Sequence, residues 1–234
     1  MSHFGLGLIS SNGTPGNDAF TKVLLHMDGS NGGTTFTDVA AGGSAKTWTP
    51  TNATTSTAAA KFGATSMLTA SGYITTPDHA DFTLGSGNWT LDFWLNFNGT
   101  SGFVNILGQS DAAGGADSQS IYLQRSSGGV VFATLRDGVG SKGVSSTTNL
   151  NSTSSWNHFA LVRSGSSGLL FLNGAQEGSV SLSGAMWDGN GAWSIGRLGA
   201  STSSPSSFYF DEVRLSVGIA RWTGNFTPPV SAYT

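Results

Sequence analysis

The sequence predicts an all-β chain folded as a two-sheet antiparallel sandwich. Three observations lead there. Trp89, Leu91, Phe93, Leu95 and Phe97 alternate with Thr90, Asp92, Trp94 and Asn96, so five apolar side chains share one face of a strand and Trp94 sits on the other. About a dozen short apolar runs follow one another, separated by Gly, Ser, Asn and Pro. No long stretch with a 3.6-residue period and no internal repeat competes with this reading.

Composition agrees. Charged residues make up 10% of the 234 residues, against ~25% in an average soluble domain. Aromatic residues at 11% exclude a disordered chain, which is charge-rich and poor in aromatics. The 34 glycines imply many tight turns. A net charge of −3 and the absence of any basic run exclude a nucleic-acid footprint. No segment reaches the ~20 apolar residues of a membrane span. There is no cysteine, so neither a disulfide framework nor thiolate chemistry is available. The first residues lack a basic segment, and Phe4–Ile9 is short and broken by Gly, so no secretory leader is expected.

Residues 1–18 are rich in Gly, Ser and Asn and read as an arm, either disordered or ordering on a partner, ahead of one domain over 19–234. Strands are expected at Lys22–Asp28, Ser66–Leu68, Tyr73–Thr76 and Trp89–Phe97. Ser71-Gly72 suggests a hairpin joining the second and third of these, and residues 49–60 read as a low-complexity loop. Further strands are expected at Phe103–Leu107, Ile121–Arg125 and Val130–Leu135. A meander should follow, through Trp156–Arg163, Leu169–Leu172 and Ala175–Leu182. Asn173-Gly174 in that meander signals a type I′ turn, which needs positive φ at both central residues. Phe159–Val162 and Leu169–Leu172 are apolar on both faces and should lie mid-sheet, covered on both sides. Trp193–Arg197 and Phe208–Ser216 close the sandwich, and Val217–Trp222 suggests a single helical turn.

Four segments, in this order, resemble the LamG-like jelly-roll family of the concanavalin A-like lectin/glucanase superfamily. They are Asn88–Leu95, Trp156–Arg163, Leu170–Gly174 and Phe210–Leu215. Two more, Val23–Gly29 with Thr35–Asp38 and the tail Gly218–Pro229, look like the version common in tailed bacteriophages. The resemblance covers roughly residues 20–234. It implies a jelly roll on a virion: a capsid decoration, head fibre or tail-associated adhesin assembled in the bacterial host cytoplasm. On that reading the arm docks to other virion proteins, the chain is a homo-oligomer on the particle, and cell-surface glycan is a further partner. The alternative is a free, lectin-like carbohydrate-binding module.

Catalysis is not expected. Glucanases on this fold carry a Glu-x-Asp-x-x-Glu pattern, and glycoside hydrolysis needs two carboxyl groups across a cleft. The only two glutamates, Glu177 and Glu212, lie in no such pattern. The resemblance also implies calcium, which takes six to eight oxygen ligands. Asp28, Asp38 and Asp211 are the candidates if the terminal strands pair, and the other reading of Asp211 is a carboxylate satisfied by arginine or backbone N–H groups. His26 shares a strand face with Asp28 and is expected to be hydrogen-bonded rather than a ligand. Sugar binding needs an exposed aromatic face beside polar groups. Trp187 with Asp188 and Asn190 in a Gly-rich turn is the first candidate, and the loop from Asp111 to Asp117 the second. Packing over a sheet edge is the competing reading of Trp187, while Trp89, Trp156, Trp193 and Trp222 are expected to be structural.

Overall fold

A computed structural model of the chain describes residues 16–110, 119–198 and 207–234. Its described residues form strands β1 (Thr21–Leu25), β2 (Thr49–Thr51), β3 (Thr54–Ser56), β4 (Ser66–Leu68), β5 (Tyr73–Thr76), β6 (Trp89–Asn96), β7 (Val104–Ser110) and β8 (Gln119–Arg125). These are followed by β9 (Val130–Asp137), β10 (Gly140–Asn149), β11 (Trp156–Ser164), β12 (Ser167–Leu172), β13 (Ala175–Ser181), β14 (Trp193–Ile195) and β15 (Tyr209–Val217). The eight-stranded sheet runs β13-β12-β11-β6-β15-β4-β3, with β1 also paired to β15, and the seven-stranded sheet runs β10-β9-β8-β7-β14-β5-β2. Every pairing between these strands is antiparallel. The jelly-roll sandwich is therefore as expected.

The core between the sheets is built by alternation. Trp89, Leu91, Phe93 and Leu95 of β6 meet Ile121 and Leu123 of β8 and Val131, Ala133 and Leu135 of β9 in one continuous cluster. The void left between the sheets, lined by Val23, Trp48, Phe82 and Trp193 among others, is about 10 Å³. That is the size of a single water, too small for a sugar or other organic ligand. At one side of the sandwich the carboxylate of Glu177 (β13) accepts hydrogen bonds from Thr147 and Thr148 (β10), tying the edges of the two sheets together.

The outer face of the eight-stranded sheet is covered by the C-terminal segment. Ala160, Val162, Leu169 and Phe171 pack there against Trp222 and Phe226, a second apolar cluster. This is why β11 and β12 are apolar on both faces. Trp222 and Phe226 stack at 4.1 Å. Beside them lies a buried polar network. Arg214 makes a bidentate pair with Asp92 at 3.0 Å through each oxygen, Tyr233 Oη donates to Asp92, and the Arg214 guanidinium lies 3.7 Å over the Tyr233 ring. Burial pushes the Asp92 carboxyl up, but the Arg214 charge and hydrogen bonds from His158 and Arg214 outweigh it and hold it below the usual carboxylate range. Arg214 also donates to Gly16 O, and Asn17 N donates to Thr234 O, so Gly16–Asn17 and the C-terminal residue are clamped on this face. Gly16–Asp18 thus belong to the folded body, although the sequence places them in the arm; residues 1–15 lie outside the described residues.

Several local expectations change. Residues 49–60 contain β2 and β3, because a Thr-rich run suits an edge strand, and Pro50 is tolerated at the edge. Tyr73–Thr76 and Ser66–Leu68 are not a hairpin; they pair into different sheets, with Ala70 and Ser71 at positive φ redirecting the chain between them. The ten-residue β10 carries almost no apolar signal, since it is an edge strand with only Val144 and Ser146 turned inward. Val217–Trp222 forms no helical turn; β15 runs through Val217 and the chain then folds over the sheet. The Asn173-Gly174 turn is as expected, with φ of 50° and 81°.

Breaking the Asp92–Arg214 pair is the sharpest test of this arrangement. Asp92→Asn should cost about 3–5 kcal/mol in chemical denaturation, because it leaves a buried guanidinium without its counter-charge. Replacing both residues by apolar ones of similar volume, Asp92→Leu with Arg214→Met, should recover part of that loss. A loss below ~1 kcal/mol for the single variant would remove the pair as the anchor of the C-terminal segment.

Candidate functional site

The three carboxylates expected to hold calcium are not brought together. Asp38 Oδ1 accepts from Leu24 N and Ala40 N, and its Oδ2 from Lys46 N. Its carboxylate is occupied in joining residues 38–46 to β1. Asp28 and Asp211 do share a neighbourhood, on either side of residues 61–64: Lys61 N and Phe62 N donate to Asp211 Oδ2, and Ala64 N to Asp28 Oδ1. Among the described residues no three His, Asp or Glu side chains converge as a metal-holding group. His26 Nδ1 lies 2.7 Å from Glu212 Oε1, and the Glu212 hydrogen bond holds the imidazole above its ordinary value. That is the hydrogen-bonded histidine the sequence suggests.

A β-bulge explains the placement of Asp211. Against β6 the register slips between Asp211 and Arg214, and Glu212 takes φ of 49°. Asp211 and Glu212 therefore do not alternate. Phe210, Val213 and Leu215 point into the core, while Asp211, Glu212 and Arg214 all bond to groups on the outer side. Both glutamates of the chain are thus engaged in structural contacts, Glu177 at the sheet edge and Glu212 with His26 and Tyr233 N.

The Trp187 turn sits at one end of the seven-stranded sheet, and that sheet's outer face is only partly covered. Along β9, Val131, Ala133 and Leu135 are buried in the core, while Phe132, Thr134 and Arg136 are half-buried on the outer side. Trp187 N donates to Arg136 O, and the Arg136 guanidinium lies 4.4 Å over the indole. This packs one side of the indole and agrees in part with the reading that it covers an edge. Its 42% exposure leaves the rest available. Asp188 and Asn190 are exposed, and Thr83 Oγ1 donates to Asp188 at 3.2 Å. Val139, in the β9–β10 turn, is 67% exposed at the same end, where Gly138 N donates to Ala185 O. Asp111 and Asp117 lie outside the described residues, but the described end of their loop meets the Trp187 turn: Ser110 N donates to Ala192 O.

Gln109 fixes this turn. Its Nε2 donates to Asp78 Oδ1, Gly189 O and Gly191 O, and its Oε1 accepts from Ser120. Burial, with the nearby Asp188 charge, raises the Asp78 carboxyl above its ordinary value. Sequence reasoning missed Arg136, Gln109 and Asp78. Nothing local could have found them, since they converge only through the order of strands in the sheet. A second surface groove of about 350 Å³ lies along Thr34–Asp38 and Ala45–Trp48. Its aromatic residues, Phe36 and Trp48, are buried, so it offers no exposed stacking face.

Asp211 supplies a pH test. Its Oδ1 is buried with no hydrogen-bond partner, and desolvation lifts its pKa to about 8 from 3.8. Between those values the folded chain keeps a proton that the unfolded chain has lost. Stability from this group is complete below pH 3.8, falls as pH rises, and is lost above about 8. With a chelator present, thermal unfolding should therefore show declining stability from pH 5 to pH 9, by up to ~4 kcal/mol. Asp211→Asn should flatten that slope; an unchanged slope in the variant would assign it to other groups.

A family model for the laminin G domain of the concanavalin A-like lectin/glucanases superfamily matches residues 68–218. No curated protein matches the chain in sequence. Among solved structures, the binding domain of Paraclostridial Mosquitocidal Protein 1 superposes with a TM-score of 0.66 at 12% identity, over 86% of this chain and 50% of that one. The botulinum neurotoxin serotype D ligand binding domain in complex with N-acetylneuraminic acid gives 0.63 at 12%, over 87% and 49%. The binding domain of botulinum neurotoxin DC in complex with SialylT gives 0.62 at 8%, over 84% and 47%. The chain spans about half the length of these proteins, and at such identity the likeness is one of fold. The family match covers well over half of the chain, and so the chain belongs to the laminin G-like branch of the concanavalin A-like lectin/glucanase superfamily.

Proposed function

We propose that this chain is a non-catalytic glycan-binding module carried on a tailed-phage virion, as a capsid decoration, head fibre or tail-associated adhesin. The glycan reading rests on one observation: an exposed indole beside carboxylate, amide and guanidinium groups, on a turn held in place by Gln109. A flat apolar ring with hydrogen-bonding groups at its edge matches a sugar, whose ring carries apolar C–H faces and polar hydroxyls. Membership of a lectin superfamily supports it, as does a fold neighbour solved with N-acetylneuraminic acid. The engagement of Glu177 and Glu212 in structural contacts supports a binding rather than a hydrolytic role.

The virion placement rests on the resemblance of Val23–Gly29, Thr35–Asp38 and Gly218–Pro229 to phage versions of the family. The described chain starts at Gly16 on the outer side of the eight-stranded sheet, whereas Arg136 and Trp187 lie on the outer side of the other sheet. A docking arm would then leave the glycan face turned outward, in several copies on one particle. Without the virion segments the chain would read as a free lectin. Calcium, if held, would sit at Asp211 and Asp28 without Asp38, since Asp211 Oδ1 is the one open buried carboxylate oxygen there. It would neutralise the buried charge.

On a glycan array the intact chain should bind, and Trp187→Ala should lower that binding ~10-fold or more while leaving the melting temperature within a degree or two, as for a stacking residue at a binding centre. Unaltered binding in the variant would move the site elsewhere, and no binding to any glycan would end the lectin reading. Deleting residues 1–15 should leave a folded domain that no longer enters particles. Full incorporation of the truncated chain would sink the docking arm.

A further inference from the structure

The chain has six arginines. Four are engaged by the fold: Arg125 donates to Gly102 O and Leu150 O, Arg163 to Gly165 O and Gly85 O, Arg214 pairs with Asp92, and Arg221 with Asp18. Arg136 and Arg197 differ. Among the described residues neither guanidinium has a hydrogen-bond or ion-pair partner, and Arg197 Nε is buried without one. Each instead lies over an aromatic ring, Arg136 at 4.4 Å over Trp187 and Arg197 at 3.6 Å over Tyr73. A guanidinium over a ring is oriented in advance, and among the described residues nothing takes up the N–H fork of these two.

Both lie on the same surface. Arg136 follows Phe132 and Thr134 on the outer side of β9, and Tyr73 is outward on β5, where its neighbour Ile74 is in the core. β9 and β5 are four strand positions apart in the sheet, or roughly 20 Å. Tyr122 and Gln124 of β8 present a further ring and amide between them, with Gln124 Nε2 donating to Asn105 Oδ1. The chain has 13 acidic residues against 10 basic ones. Yet the strands of this sheet carry only one acidic residue, Asp137, and its carboxylate accepts from Val139, Gly140, Ser183 and Gly184 N–H groups.

We propose that the outer face of the seven-stranded sheet takes an acidic oligosaccharide, with one carboxylate or sulfate group on Arg136 and another on Arg197. This inference rests on the glycan-binding reading and specifies its ligand class. The separation of the two arginines requires a chain of several sugars rather than a single terminal unit. The exposed part of the Trp187 indole meets an apolar sugar face, and the guanidinium N–H donors meet the anionic groups.

The test uses the intact chain on immobilised sialylated, uronate-containing and sulfated oligosaccharides, each beside its neutral counterpart. At least one acidic class should bind ~10-fold or more tightly than its counterpart, as expected for charge-assisted hydrogen bonds, and which class binds identifies the anionic group. Arg136→Gln and Arg197→Gln should each lower acidic binding ~10-fold and leave neutral binding unchanged, and Arg136→Lys should restore only part of the loss, having charge but no fork. Raising the salt should weaken acidic binding alone. Neutral and acidic partners bound equally, or either arginine variant binding as the parent does, would overturn the proposal and leave the glycan reading standing. Failure to bind any glycan, neutral or acidic, would overturn both.

Discussion

A buried ion pair between two central strands governs the outer half of this fold. Asp92 on β6 and Arg214 on β15 are both fully buried and pair through two hydrogen bonds. A charge taken out of water is tolerated only when every polar group around it is matched. That demand draws in Tyr233, whose hydroxyl donates to Asp92 and whose ring lies under the guanidinium. It draws in Gly16 as well, through the remaining guanidinium donors. The first and last described residues are therefore held to the middle of the sheet by one pair.

The bulge in β15 makes this possible. A regular strand would alternate through Asp211, Glu212, Val213 and Arg214. With Glu212 at positive φ, Val213 still enters the core while Glu212 and Arg214 both reach the outer side, the first to Tyr233 N and His26, the second to Asp92. The extra outward residue lets one strand serve two layers. The second apolar cluster around Trp222 and Phe226 then completes a three-layer body: C-terminal segment, eight-stranded sheet and seven-stranded sheet.

One sheet is covered by the C-terminal segment and the void lined by Val23, Trp48, Phe82 and Trp193 is as small as one water, while the outer face of the other sheet is only partly covered. Its outer face is supported from below by the core and at its end by Gln109, which holds the Trp187 turn through Gly189 O and Gly191 O. Side chains displayed from such a base are positioned before any ligand arrives, which lowers the ordering cost of binding. Arginines stacked on indole and phenol rings follow the same logic. The fold itself does not dictate a ligand; on the proposed reading the outward residues of β5, β8 and β9 and the turn beside them would.

The sequence by itself determined the all-β class, the β6 alternation, the doubly covered β11 and β12, and the Asn173-Gly174 turn. Each follows from side-chain period or from backbone sterics within a few residues. It also singled out Trp187, because an aromatic residue in a Gly-rich turn has no strand face to occupy. Only the tertiary structure decided what meets what. Asp38 could not be distinguished from Asp28 in the sequence, yet it accepts backbone N–H groups of β1 and of residues 40–46 while Asp28 faces residues 61–64 with Asp211. Polar β10 carried no signal because an edge strand is held by its ladder and not by a buried face. Arg136 and Gln109 reach the Trp187 turn from strands 51 and 78 positions away in the chain (187 − 136 and 187 − 109). Hydrogen-bond register between strands sets such meetings, and register is a property of the assembled sheet rather than of any one segment.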